Sequence, residues 1–157
     1  MKEEVFREYY NQYVDMIYRI TYTYFNGNRS DMEDIIQDIF LKLYEKNPSF
    51  NSQDHAKAWL IRVTTNMCKN KVAHWWNKKV SIDKIIEPMD ELKDNTVLNA
   101  ILNLPVNQKL SIYLHYYEGY SAKEISEMLN KNENTIFGYL HQGRELLKKE
   151  LGDGFDE

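Results

Sequence analysis

Cysteine is nearly absent. Cys68 stands alone, which excludes an internal disulfide framework and any cysteine-based metal cluster. Its place on an apolar helical face suits a packed thiol in a reducing compartment. Glycine occurs 6 times and proline 3 times in 157 residues, and nowhere as a Gly-rich phosphate loop or a nucleophile elbow. His55, His74, His115 and His141 are scattered without ligand spacing. These absences argue against an enzyme, and no cofactor or metal is expected. No apolar run approaches the ~20 residues needed to cross a bilayer. The segment MKEEVFREYY lacks the pattern of a signal peptide. A cytoplasmic protein without membrane insertion is therefore expected. There is no internal repeat.

What is present is a strong charge asymmetry under a net charge of −4. Residues 55–79 carry 6 Lys/Arg and no acid, between acidic blocks on either side. The overall pI of 5.6 therefore says little about nucleic acid. Within the basic stretch Ala56, Trp59, Leu60, Val63, Met67 and Cys68 recur at three- and four-residue steps, one face of an α-helix. Lys57, Arg62, Lys69, Lys71, Lys78 and Lys79 supply the charge, and Trp75-Trp76 sits among the last of them. Cations mixed with aromatic faces on a rigid rod suit a polyanion whose bases can be stacked upon. A solvated basic face with tryptophans in the core is the other reading.

The remaining periodicity is helical throughout, so an all-α fold is expected: two small helical bundles joined by a linker. Phe6, Tyr9, Tyr13, Met16, Ile17, Ile20 and Tyr24 mark a helix over 4–25, stopped by Asn26-Gly27-Asn28. Ser30 and Glu33 have the spacing of a capping box for the next helix, which runs to about Lys46 with Ile35, Ile36, Ile39, Phe40 and Leu43 inward. Asn47 to Gln53 reads as a loop. Residues 80–95, with Pro88 and five acids, read as the linker; Ile82, Ile85 and Ile86 in it form a short hydrophobic anchor or a docking element. Beyond it come Val97, Leu98, Ile101 and Leu102, a break at Leu104-Pro105, and a helix over about 106–117. Ser121 and Glu124 form a second capping box, and Asn132 caps the last helix, which ends near Leu151. Two helices across a short turn, the second longer, make a helix-turn-helix. The tail 152–157 is expected to be disordered.

Together these motifs resemble the sigma-70 family of RNA polymerase sigma factors, in its small extracytoplasmic-function (ECF) form. The resemblance spans almost the whole chain. It rests on Asp31-Met32-Glu33-Asp34-Ile35-Ile36-Gln37-Asp38-Ile39-Phe40, on Trp59-Leu60-Ile61-Arg62 followed by Asn66 and lysines, on Tyr117-Glu118-Gly119-Tyr120-Ser121, and on Thr135-Ile136 with Leu140-His141 and Arg144. It implies that residues 1–79 are region 2, which binds the bacterial polymerase core and opens the −10 promoter element. It implies that residues 96–151 are region 4, which reads the −35 element. On this resemblance Asp34, Gln37, Asp38, Phe40 and Leu43 would dock on the core enzyme. Ser49, Phe50, Arg62, Asn66, Lys69, Lys71, Lys78 and Lys79 would engage −10 DNA. Asn134, Thr135, Tyr139, Gln142 and Arg144 would engage −35 DNA. An anti-sigma factor is the further partner expected of the type.

The recognition helix departs from the family pattern at Phe137, Gly138, Tyr139 and Gln142, and residues 121–151 balance 5 positive against 5 negative charges. A neutral module loses much of the phosphate-neutralising drive. Two rivals therefore stand beside an initiating sigma factor: a helix-turn-helix regulator that never joins polymerase, and a sigma-like adaptor that does not itself initiate.

Overall fold

The computed structural model describes residues 1–78 and 96–152. Among these residues every regular element is helical: α1 (Glu3–Phe25), α2 (Arg29–Lys46), α3 (Gln53–Lys78), α4 (Thr96–Leu102), α5 (Val106–Ile112), α6 (Ala122–Leu129) and α7 (Glu133–Leu151). They form two compact units, one on each side of residues 79–95. The expected linker, Lys79, and all of the expected disordered tail except Gly152 lie outside the described residues.

In the first unit α1, α2 and α3 pack against one another. Ile17 and Ile20 of α1, Ile39 and Leu43 of α2, and Leu60 and Ile61 of α3 are fully enclosed. Burial of each such side chain contributes about 1.5–3 kcal/mol. The core also holds Thr21, Thr23, Thr64 and Thr65, which an apolar period does not reveal. Their hydroxyls donate to backbone carbonyls one turn back, Thr21 to Ile17 at 2.6 Å and Thr64 to Leu60 at 2.7 Å. A hydroxyl satisfied by its own helix can enter the core without an orphaned donor. Ile61, Thr64 and Thr65 join the expected apolar face, so α3 is enclosed over more than half its circumference. Burial pushes the Cys68 thiol up to about 12, partly offset by its hydrogen bond with Thr21, and raises the Tyr24 hydroxyl well above its usual range.

The α1–α2 turn differs from expectation at the cap. Asn26 and Gly27 both take positive φ, 51° and 87°, and close α1. α2 then starts at Arg29 with Asn28 as its N-cap, whose side chain accepts the Asp31 amide. Ser30 lies inside the first turn and is not the cap. Asn28 is extended and one residue past the left-handed pair, so it reaches the free amides before Ser30 does.

In the second unit α7 packs on α4, α5 and α6. Ser121 and Glu124 form the expected capping box, at 3.1 Å and 3.0 Å. Asn132 caps α7 by accepting the Asn134 amide at 2.8 Å. The helix expected over 106–117 is α-helical only to Ile112; Tyr113–Tyr117 form a π-helical turn. The wider turn sits beside two side-chain ties. Tyr113 donates to Glu118 at 2.8 Å, and His115 Nδ1 lies 2.7 Å from the Tyr120 carbonyl. Lys109 is 2% exposed. Its ammonium donates to the Leu102 carbonyl at 3.3 Å, at the end of α4, and burial lowers its pKa to about 8.

Candidate nucleic-acid interface

The site in the first unit is built from the loop between α2 and α3 and the exposed side of α3. Asn47 caps α2 in the left-handed conformation with its amide on the Leu43 carbonyl, and Pro48 follows. Ser52 begins α3: its carbonyl accepts the Ala56 amide at 3.2 Å and its hydroxyl accepts the His55 amide at 3.1 Å. His55 reaches back, and its Nδ1 accepts the Asn51 amide at 3.1 Å. Phe50 is thereby carried onto α3. Its ring lies edge-on to His55 at 5.3 Å, to Trp59 at 5.7 Å and to Tyr9 of α1 at 5.8 Å.

From this aromatic cluster a stripe runs along α3. His55, Trp59, Arg62, Asn66, Lys69 and Ala73 recur at three- and four-residue steps and share one side of the helix. Arg62 and Asn66 are exposed, and Trp59 and Lys69 are half-buried. No acidic residue follows Asp54 on this helix. The surface thus offers an aromatic face, a guanidinium, a carboxamide with both donor and acceptor, and an ammonium in sequence along one line. That set can stack a base, bond its edge and grip phosphate.

Of the expected −10 residues, Phe50, Arg62, Asn66 and Lys69 come together here, with exposed Ser49 on the loop. Lys71 does not join them. It stands nine residues after Arg62, about 180° around the helix. Lys78 is the last residue of α3, and Lys79 falls outside the described residues. Trp59 lies on this face and was not among the nominated residues, while His55 and Tyr9 pack behind Phe50 and support it. The signal for Trp59 was present in its three-residue step to Arg62, but it also fitted the apolar face, and half-burial on the border satisfies both.

On α2, Asp34, Gln37 and Asp38 are exposed on one stripe. Phe40 and Leu43 are not: they are 4% and 0% exposed. Both belong to the core and are removed from the expected docking face, because neither side chain can meet a partner without repacking the bundle. Leu41 and Tyr44, 53% and 46% exposed, continue the acidic stripe instead. An apolar residue standing off the helix's inward period was the missed signal.

In the second unit Asn134 and Thr135 are exposed at the start of α7. Tyr139 is half-buried, with the Lys131 ammonium 6.0 Å from its ring centroid. Gln142 accepts from the Gln108 amide group of α5 at 2.7 Å, and Arg144 donates to the Tyr116 hydroxyl at 3.2 Å. These two brace α7 within its own unit. Arg144 also stands nine residues after Thr135, about half a turn away from it. The five expected −35 residues therefore do not share one face. The side of α7 opposite its buried residues carries Asn134, Gly138, His141 and Glu145. Among the described residues no helix is long and apolar enough to cross a membrane, and no group of three or more His, Cys, Asp or Glu could hold a metal.

Two family models match this chain: Sigma-70 region 2 over residues 9–77 and Sigma-70 region 4 over residues 94–147. The chain is 29% identical to the ECF RNA polymerase sigma factor SigW of Bacillus subtilis, over 96% of its own length and 91% of that protein. It is 24% identical to the ECF RNA polymerase sigma-E factor of Haemophilus influenzae, over 79% of its length and 76% of that protein. Among solved structures it is similar in fold to the sigma factor RpoE from Bartonella quintana, crystallised with the anti-sigma factor NepR. The TM-score there is 0.79 at 19% identity, covering 97% of this chain and 99% of that one. A second fold likeness is to CnrH in complex with the cytosolic domain of CnrY, with a TM-score of 0.65 at 16% identity, covering 98% and 92%.

Proposed function

The chain belongs to the sigma-70 family of RNA polymerase sigma factors, in its ECF group, and from that premise we propose how its own residues divide the work of initiation. It is a transcription initiation factor. The first unit binds core polymerase through the α2 stripe of Asp34, Gln37, Asp38 and Leu41. The same unit then captures the −10 element on the loop 47–52 and the exposed side of α3. Opening a duplex there costs a few kcal/mol per unstacked base, and a surface ready to receive the base offsets that cost. Phe50 and Trp59 supply the stacking face, Asn66 bonds the base edge, and Arg62 and Lys69 hold the backbone. The single observation that carries this reading is the line Trp59–Arg62–Asn66–Lys69, headed by Phe50 of the loop, on one side of a helix with no acid beyond Asp54.

The second unit reads the −35 element with the start of α7. Its charge balance makes its own grip on DNA weak. Core polymerase then supplies most of the affinity, and Asn134 and Thr135 supply orientation. Phosphodiester chemistry stays with the polymerase, so this chain contributes no catalytic group. It acts in the cytoplasm, where polymerase and promoter are. An anti-sigma partner is part of this proposal, supported by a fold relative crystallised with such a partner.

The test is promoter-specific run-off transcription with bacterial core polymerase stripped of its own sigma factors. Defined transcripts support an initiating sigma factor. Core binding without transcripts would identify an adaptor. Failure to bind core at all would leave a helix-turn-helix regulator that never joins polymerase and end the proposal.

A further inference from the structure

The start of α3 is closed by an unusual partner. In a capping box the N-cap Ser accepts the amide three residues on, and that residue's side chain reaches back to an amide at the N-cap end; Glu or Gln is the usual partner. The second unit has the Glu form, Ser121 with Glu124. At α3 the same spacing runs from Ser52 to His55. Ser52 Oγ accepts the His55 amide at 3.1 Å, while the His55 ring accepts the amide of Asn51, one residue before the cap, at 3.1 Å. A backbone N–H can only donate, so Nδ1 accepts and is the unprotonated nitrogen. A carboxylate would serve this bond at any pH above its own titration. An imidazole serves it only while neutral, because protonation turns Nδ1 into a second donor facing the Asn51 donor.

The bond controls more than the helix end. Asn51 follows Phe50, whose ring rests on His55 and Trp59. The Asn51–His55 tie is therefore the link that sets Phe50 against α3. The titratable or charged side chains on the elements packed here are Asp54, Lys57 and Arg62 on α3 and Tyr9 and Tyr13 on α1, and Glu45 and Lys46 end α2 ahead of the loop. Tyr13 donates to the Gln53 carbonyl at 3.3 Å, and burial raises its pKa, so it keeps its proton near neutrality. The loop 47–52 carries no titratable side chain.

We propose that His55 is a positioning residue for strand capture: as the neutral imidazole it closes the cap of α3 and holds loop 47–52, with Phe50, over the Trp59–Arg62–Asn66 face. The proposal rests on the strand-capture reading above. Acidification then loosens the loop and weakens −10 opening while core binding continues, since the α2 stripe is separate from it.

The experiment uses full-length protein assembled with core polymerase on a promoter carrying a fluorescent base analogue in its −10 element. Opening is read across pH 6 to 8, within the span where histidines as a class change charge. Wild type is expected to lose opening toward pH 6. His55→Gln, which restores an oxygen acceptor at the same box position, is expected to open as well as wild type at pH 8 and to lose the pH dependence. His55→Phe keeps a ring against Phe50 but no acceptor. It is expected to open about fivefold less at pH 8, the effect of one lost hydrogen bond. Core affinity and thermal melting are measured for each variant, so that a folding defect is seen directly. His55→Gln retaining the wild-type pH drop would overturn the proposal, since another group of the holoenzyme would then be its source. His55→Phe opening like wild type would overturn it equally. If the wild-type holoenzyme opens no promoter at any pH, the strand-capture reading fails first, and the result is distinct from either.

Discussion

Two glycines on α7 make opposite predictions. Gly138 and Gly143 are both helical, and alanine in a helix interior is favoured over glycine by about 1 kcal/mol. At Gly138 a Cβ would meet nothing within 4 Å. Gly138→Ala should therefore stabilise by the full ~1 kcal/mol, which raises Tm by about 2–4 °C in a chain of this size. At Gly143 a Cβ would lie 2.9 Å from Ile112 Cγ1 and 3.2 Å from Cδ1, with the Gln108 Cβ at an ordinary 3.6 Å. Ile112 is itself buried, 3% exposed, and has little room to give. Overpacking of this kind costs about 1–3 kcal/mol, more than the helix gain, so Gly143→Ala should destabilise by about 1 kcal/mol net. Ile112→Ala removes both clashing atoms. In that background Gly143→Ala should turn stabilising, a coupling of about 2 kcal/mol in a double-mutant cycle. Circular dichroism melts of the full-length variants read all four corners. If Gly143→Ala stabilises as much as Gly138→Ala, α7 does not approach α5 as closely as described. The bracing of the recognition helix would then need another explanation.

Lys109 predicts a pH dependence. Its folded pKa, about 8, lies below the ordinary 10.5, so the cost of burying the charge is present in full below pH 8. As pH rises from 8 toward 10.5 the folded chain releases the proton first, and stability should rise by up to about 3 kcal/mol. Lys109→Met should flatten that rise in denaturant titrations, and an unchanged slope would count against it. Asn66→Ala should reduce −10 opening about tenfold, the worth of one bidentate base contact, with core affinity retained. Equal loss of both would remove Asn66 from strand capture. Reversing Asp34 and Asp38 to Lys should lower affinity for core polymerase at low salt, most visibly in the association rate. Unchanged co-purification would take the α2 stripe out of the account.

The chain's helices were legible because their apolar residues recur with the helical period and their ends carry cap chemistry. The Ser121–Glu124 box and the Asn132 cap appear where their spacing puts them. Asn28 displaced Ser30 as cap because the two left-handed residues before it fix where the chain turns, a choice made by backbone conformation rather than residue type. The buried threonines were hidden because their helical carbonyl partners exist only once the helix forms.

Sequence alone determined the all-α class, the two-part plan, the family and the helix whose charges beyond Asp54 are all positive. These depend on local periodicity and on which residues are charged, both written along the chain. Only tertiary structure decided which of the nominated residues can act. Phe40 and Leu43 are closed into the bundle, while Leu41 and Tyr44 face out. Lys71 points away from Arg62, and Gln142 and Arg144 spend their polar groups within their own unit. The physical reason is that a helix has a surface on every side, and its neighbours choose which side water, or DNA, can reach.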